Sequence, residues 1–266
     1  MKLSTLLILI VLIYLIIVGF MYLNQRKLLY LPSENNYLDD QIEFNYEEIF
    51  IDVEKNLKLK AWFIENDLKR YKTLVFFHGN AGNLSNRVYK LNKFSKLNLN
   101  VLIIAWRGFS GNAGEPTEKN LYNDAKMAIG WLNSVGVKNK RIILYGESLG
   151  TGVAVELGQN NSFDSIILES PFTSMEKAAK NIYPWLPIKY LLKDKYDTED
   201  KIKNIKLPIL IMHGKKDKIV PFKMGKKLFE LANEPKFSYF TNEDDHMLEF
   251  NTKLIENIKT FLRINS

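Results

Sequence analysis

The chain has 266 residues, enough for one large α/β domain or two small ones, and its 46% hydrophobic and 12% aromatic content supplies a core and excludes disorder. It has no cysteine and only three histidines, His78, His213 and His246, which excludes thiol catalysis, disulfides and cysteine-ligated metals and argues against a His-rich metal site. The net charge of +7 is scattered as single lysines such as Lys55, Lys58 and Lys60, a pattern that fits a solvated surface or one attracted to anionic lipid, with no motif for nucleic acid.

From Leu3 to Asn24 no residue is charged and most are Leu, Ile or Val. About 20 helical residues cover the roughly 30 Å hydrocarbon layer, so residues 1–24 are expected to form a transmembrane anchor. Tyr22, and Arg26-Lys27 just beyond, suit the interface. A cleaved signal peptide would have a shorter apolar core followed by small residues, whereas this one ends Gly19-Phe20-Met21-Tyr22-Leu23. Lys2 with the amino terminus nearly balances Arg26 and Lys27, and a large domain translocates despite flanking charge, which tips the following domain towards the non-cytoplasmic side.

A connector over residues 25–40 leads to one domain, 41–266. Residues 49–53 and 57–63 read as an antiparallel hairpin. The runs 74–77, 101–104, 142–144, 166–168 and 209–211 are apolar without alternation, as in parallel strands covered on both faces. Between them, Leu84, Val88, Leu91 and Phe94 fall at helical intervals, as do Leu121, Ala125, Ala128 and Leu132, and finally Phe250, Leu254, Ile258 and Phe261. Alternating strand and helix predicts an α/β fold with one doubly wound, mostly parallel sheet. Residues 171–206 break the rhythm with prolines and aromatics and no clear strand, and are expected to cover the carboxyl ends of the strands as a small cap. In it, Ile182, Tyr183, Trp185, Leu186, Ile188, Tyr190 and Leu191 form an apolar acyl pocket or membrane-facing lip, or simply pack the cap onto the sheet.

Gly146-Glu147-Ser148-Leu149-Gly150 sits where the strand run ends and a helical run begins. A strand stopping at Gly-x-Ser-x-Gly before a helix is the nucleophile elbow of α/β-hydrolases. The pentapeptide alone arises by chance in roughly one chain in ten of this length, so the companions matter. A serine hydroxyl needs a base to take its proton and a carboxylate to orient that base. In this fold they follow in the order Ser, acid, His. Asp217, in the turn after Met212-His213-Gly214, and His246, in the loop after residues 236–240, stand in that order. Asp244 and Asp245 compete for the acid's place, though direct neighbours of a histidine point away from its ring. His213 reads as a packed, hydrogen-bonded residue, and His78 as one that orders the loop His78-Gly79-Asn80-Ala81-Gly82-Asn83. An oxyanion needs two N–H donors; Leu149 supplies one and the Asn80 amide the other.

Five stretches resemble the membrane-anchored, Bem-type α/β-hydrolases of the serine aminopeptidase and dienelactone-hydrolase clan. They are residues 25–32, 78–83, 146–152, 169–174 and 213–221, and the likeness runs from the anchor to the C-terminus. The resemblance implies a cofactor-free serine hydrolase with Ser148, Asp217 and His246 as its triad, related to thioesterases, lysophospholipases and carboxylesterases. One departure lies in residues 106–116, where Ser110 and Asn112 replace the usual Gly and Ser, a change that bears on specificity rather than on the triad. The expected substrate is an ester, thioester or lipid-like molecule. A serine peptidase, and a membrane-tethered binding module without chemistry, are the alternatives.

Overall fold

The computed structural model describes residues 2–33 and 41–263. Helix α1, Leu3–Leu29, carries the apolar run and continues past Asn24 through Gln25-Arg26-Lys27-Leu28-Leu29, all good helix formers. Arg26 and Lys27 lie in the last turn, where positive charge complements the helix dipole, and the helix stops at Tyr30, whose N–H bonds to the Arg26 carbonyl. The first part of the expected connector is therefore helical; residues 34–40 of it lie outside the described residues. The strand β1, Leu31–Pro32, follows at once.

Among the described residues the main sheet has eight strands. These are β2 (Glu47–Glu54), β3 (Leu57–Ile64), β4 (Lys72–Phe77), β6 (Leu99–Ile104), β7 (Ile142–Glu147), β8 (Ser165–Glu169), β9 (Ile209–Gly214) and β10 (Lys236–Thr241). Their order is β10-β9-β8-β7-β4-β6-β3-β2. The expected hairpin is β2 against β3, antiparallel, and β3 also meets β6 antiparallel; the other pairs are parallel. Strand β2 alternates exposed and buried residues, whereas β6, β7, β8 and β9 are buried throughout, since helices cover both faces of the sheet centre. Val75, Leu144, Leu168 and Ile211 meet α3 (Glu118–Ser134), α4 (Leu149–Gly158) and α8 (Phe222–Leu231) on one face. Leu74, Phe76, Ile143 and Ile167 meet α2 (Val88–Phe94) and α9 (Thr252–Leu262) on the other.

Two helices are shorter than their periodicity suggests. A 3-10 turn at Ser85–Arg87 replaces the first turn expected around Leu84. Phe250 packs with the face of α9 from outside the helix, because Asn251 caps it by accepting the Leu254 N–H. Residues 171–206 contain α5 (Met175–Ile182), α6 (Ile188–Leu191), α7 (Thr198–Lys201) and a 3-10 turn, and no strand. Strand β1 pairs in parallel with β5 (Ala81–Gly82), inside the loop that follows β4. That pairing joins the end of α1 to the carboxyl edge of the sheet.

Candidate active site

Strand β7 ends at Glu147 and α4 starts at Leu149, leaving Ser148 alone at the turn with φ 49° and ψ −114°. This conformation is strained for a residue with a side chain. It persists because the surroundings leave no alternative. A Cβ at Gly150 would lie 1.9 Å from the Phe77 carbonyl oxygen, and one at Gly146 would lie 2.6 Å from the Gly150 carbonyl oxygen. Both glycines let α4 press against β4 and β7. The Ser148 N–H donates to the Glu169 carbonyl at 2.9 Å, tying the elbow to the end of β8.

The structure brings Ser148, His246 and Asp217 together. Ser148 Oγ is 3.0 Å from His246 Nε2, and His246 Nδ1 is 2.8 Å from Asp217 Oδ2. Asp217 is saturated with donors: its Oδ1 accepts the Ile219 and Val220 N–H groups, each at 2.8 Å, and its Oδ2 also faces His213 Nε2 at 3.0 Å. Burial opposes ionisation of Asp217, but the hydrogen bonds from His213 and His246 outweigh it and hold the carboxyl well below the usual range. His213 Nε2 faces two acceptors, Asp217 Oδ2 and the Val220 carbonyl, so it carries the proton. The competitors turn away: Asp244 accepts from Thr241 Oγ1, and Asp245 from the Met247 N–H. A Cβ at Gly214 would strike the Asp244 and Asp245 carbonyls at 2.3 Å, so the acid and histidine loops touch through their backbones.

The loop after β4 is organised by His78. Its Nδ1 lies 2.8 Å from the Gly79 carbonyl, the Trp106 N–H donates to its Nε2, and the Trp106 indole donates to its carbonyl. The ring orders the loop, as expected, and is spent in doing so. Asn80 and Leu149 both border the cavity that Ser148 enters. The Gly79 N–H points to Glu147 Oε1 at 3.2 Å.

Beneath the elbow lies a buried cluster of charges. Lys90 Nζ contacts Glu147 Oε2 and Glu169 Oε2 at 2.5 and 2.7 Å, Arg87 contacts Glu147 Oε1 at 2.6 Å, and the Tyr145 hydroxyl donates to Glu169. Burial disfavours ionised Glu147, yet Lys90 and Arg87 hold its carboxyl well below the ordinary range.

A cavity of about 210 Å³ opens at Ser148, and no charged side chain lines it among the described residues. The cap contributes Ile182, Tyr183, Leu186, Ile188 and Leu191, five of the seven residues singled out from the sequence. Trp185 and Tyr190 are exposed instead. Met21, Tyr22, Gln25, Leu28 and Leu29 of α1 line the cavity from another side. Ser110 and Asn112 do not border the cavity; Ser110 Oγ accepts the Leu84 N–H, and Asn112 bridges the Lys60 N–H and the Ala105 carbonyl.

The sequence profile of the prolyl oligopeptidase family matches residues 107–262. Bem46 of Schizosaccharomyces pombe is 32% identical over 238 residues, covering 84% of this chain and 79% of that protein. The lysophosphatidylserine lipase ABHD12 of Danio rerio is 30% identical over 203 residues, covering 69% of this chain and 53% of that one. The chain belongs to the prolyl oligopeptidase family of α/β-hydrolases. The Pyrococcus furiosus esterase Pf2001 shares the hydrolase fold, with a TM-score of 0.73 at 21% identity over 89% of this chain and 97% of that one.

Two supports of this hydrolase's candidate site escape sequence reading. His213 contacts Asp217, for which the i, i+4 spacing across the strand-end turn is the available hint. Ser170, itself at φ 50°, donates from Oγ to the His246 carbonyl at 2.8 Å and pins the histidine loop. The family motif at residues 169–174 is the signal that could have found it.

The buried His78 carries a pH prediction. Burial, aided by the nearby Arg87 charge, pushes its pKa down to about 3. The unfolded chain protonates this ring below about 6.5, so between those values it binds more protons than the native state and stability falls as pH drops. Between pH 7 and pH 5 the expected loss is about 2 kcal/mol. Urea unfolding of the full-length protein in detergent micelles measures it, and an unchanged midpoint contradicts the assignment.

Proposed function

We propose that the chain is a serine hydrolase that cleaves ester or thioester bonds of lipid-like substrates, held at a membrane by α1. His246 takes the Ser148 proton as the oxygen attacks the acyl carbonyl, and Asp217 orients the imidazole and stabilises its charged form. The Leu149 and Asn80 amides bind the oxyanion; because the Gly79 N–H is engaged by Glu147, Asn80 is the loop's next donor. His246 then protonates the leaving group, and activates the water that releases the acid by attacking the acyl-enzyme.

The observation carrying this reading is the continuous Ser148–His246–Asp217 chain of contacts opening on an uncharged, apolar cavity. The cavity favours ester over peptide chemistry, since among the described residues no carboxylate lines it to receive a free amino terminus. One helix among the described residues, α1, is long and apolar enough to cross a membrane. A fluorophosphonate probe is expected to label Ser148 covalently in the folded full-length protein, and the protein to hydrolyse acyl esters. Absence of any adduct on Ser148 favours the binding module instead.

A further inference from the structure

Beyond tethering the domain, we propose that the C-terminal end of α1 forms one wall of the acyl-binding pocket, which takes a single-chain lipid directly from the bilayer and measures its length. This rests on the serine-hydrolase reading of the same site. Met21, Gln25 and Leu28, with Tyr22 and Leu29, recur at three- and four-residue intervals and so share one helix face. All five border the cavity containing Ser148. The opposite wall comes from α5, α6 and the residues between them.

The helix is docked by groups that a simple tether does not need. The Gln25 side-chain amide donates to the Leu191 carbonyl at 3.0 Å and accepts the Lys193 N–H at 2.8 Å, using both ends on the cap backbone. Arg26 pairs with the buried Asp194 at 3.1 Å. The Asn80 side-chain Nδ2 donates to the Leu29 carbonyl at 2.6 Å, leaving its backbone N–H free of this contact and coupling the helix end to the proposed oxyanion loop. Higher up, the Tyr14 hydroxyl donates to the Trp185 carbonyl at 3.1 Å.

That last contact fixes the height of the pocket. At about 1.5 Å per residue the uncharged stretch between Lys2 and Tyr14 covers only about 17 Å, well short of a hydrocarbon layer of roughly 30 Å. If α1 spans the layer, the layer extends past Tyr14, and the cap tip touching it lies within the membrane boundary. The tip carries groups that tolerate this position: Trp185 and Tyr190 are 51% and 82% exposed, and the exposed Lys180, Lys189 and Lys193 have stems long enough to reach towards lipid phosphates. About 20 residues from Leu3 reach Tyr22, so the pocket wall begins where the hydrocarbon ends. An acyl chain can pass from the tails into the cavity without crossing water.

The test uses full-length protein in vesicles of dialkyl-ether phosphatidylcholine, which holds no carboxylic ester. A hexadecyl fluorophosphonate with a diazirine at the chain end is allowed to react and is then photolysed. The expected result is an adduct on Ser148 with cross-links in residues 18–29. Cross-links confined to other parts of the chain overturn the proposal, as does labelling by a butyl but not a hexadecyl probe. Labelling by neither overturns the hydrolase reading itself, and this proposal with it. In parallel, Leu28→Trp is expected to lower the ratio of kcat/KM for a 16-carbon over a 4-carbon p-nitrophenyl ester by at least about tenfold. An unchanged ratio counts against the wall.

Discussion

Ser148→Ala is expected to lower kcat for ester hydrolysis by about a millionfold, and His246→Ala by a similar factor, because the two act as one unit. Asp217→Asn is expected to cost about ten-thousandfold. The geometry explains the difference. Oδ2 of Asp217 faces both His246 Nδ1 and the proton on His213 Nε2. An amide at that position disturbs two imidazoles but leaves the Ser148–His246 contact possible. The Ser148→Ala/Asp217→Asn double variant should be no slower than Ser148→Ala alone, since nothing remains for the acid to assist. Steady-state rates of purified variants on a short acyl ester measure all of these. A Ser148→Ala protein retaining a tenth of the parent activity contradicts the assignment of the nucleophile.

Lys90→Met is expected to destabilise the fold by about 3–5 kcal/mol. The ammonium is fully buried, in contact with Glu147 and Glu169 and flanked by the rings of Phe76, Tyr89 and Phe250. Methionine fills a similar volume but leaves Glu169 without an opposite charge, and Glu147 with Arg87 alone. Removing one member of a buried ion cluster exposes the desolvation cost of those that stay. For a chain of this size the loss corresponds to a fall in Tm of about 10 °C. Adding Glu169→Gln to Lys90→Met should recover part of it, because the orphaned charge is gone. Thermal unfolding of both variants checks this; a single variant as stable as the parent removes the cluster from the forces holding the elbow.

The sheet was legible because its central strands are buried on both faces and so read as unbroken apolar runs, and the hairpin because β2 alternates. That Ser148, Asp217 and His246 could meet was read from their order and from the family motifs around them, since each follows a strand and those parallel strands end on one side. His213 was read as packed and hydrogen-bonded, but its partner was not seen: a tautomer depends on which acceptors fold around it. The part played by α1 was invisible for a different reason. A helix apolar on every side shows no stripe by which one face can be told from another, so Met21 and Leu28 looked like any other lipid-facing residues. Composition grouped Trp185 and Tyr190 with five other cap residues as an acyl pocket or an outward-facing lip without separating the two; the cap turns these two outwards and the other five to the cavity.

The ladder between β1 and β5 has a practical corollary. A soluble version of this hydrolase begun after residue 33 would lose an edge strand as well as its apolar helix, stripping Leu31 from the Asn80 carbonyl and Ser33 from the Gly82 carbonyl. The Asn80 and Gly82 carbonyls would then lose these partners, beside an amide proposed for catalysis. Truncation is expected to alter the proposed site as well as free it from the helix, so detergent-solubilised whole protein is the proper material for kinetics.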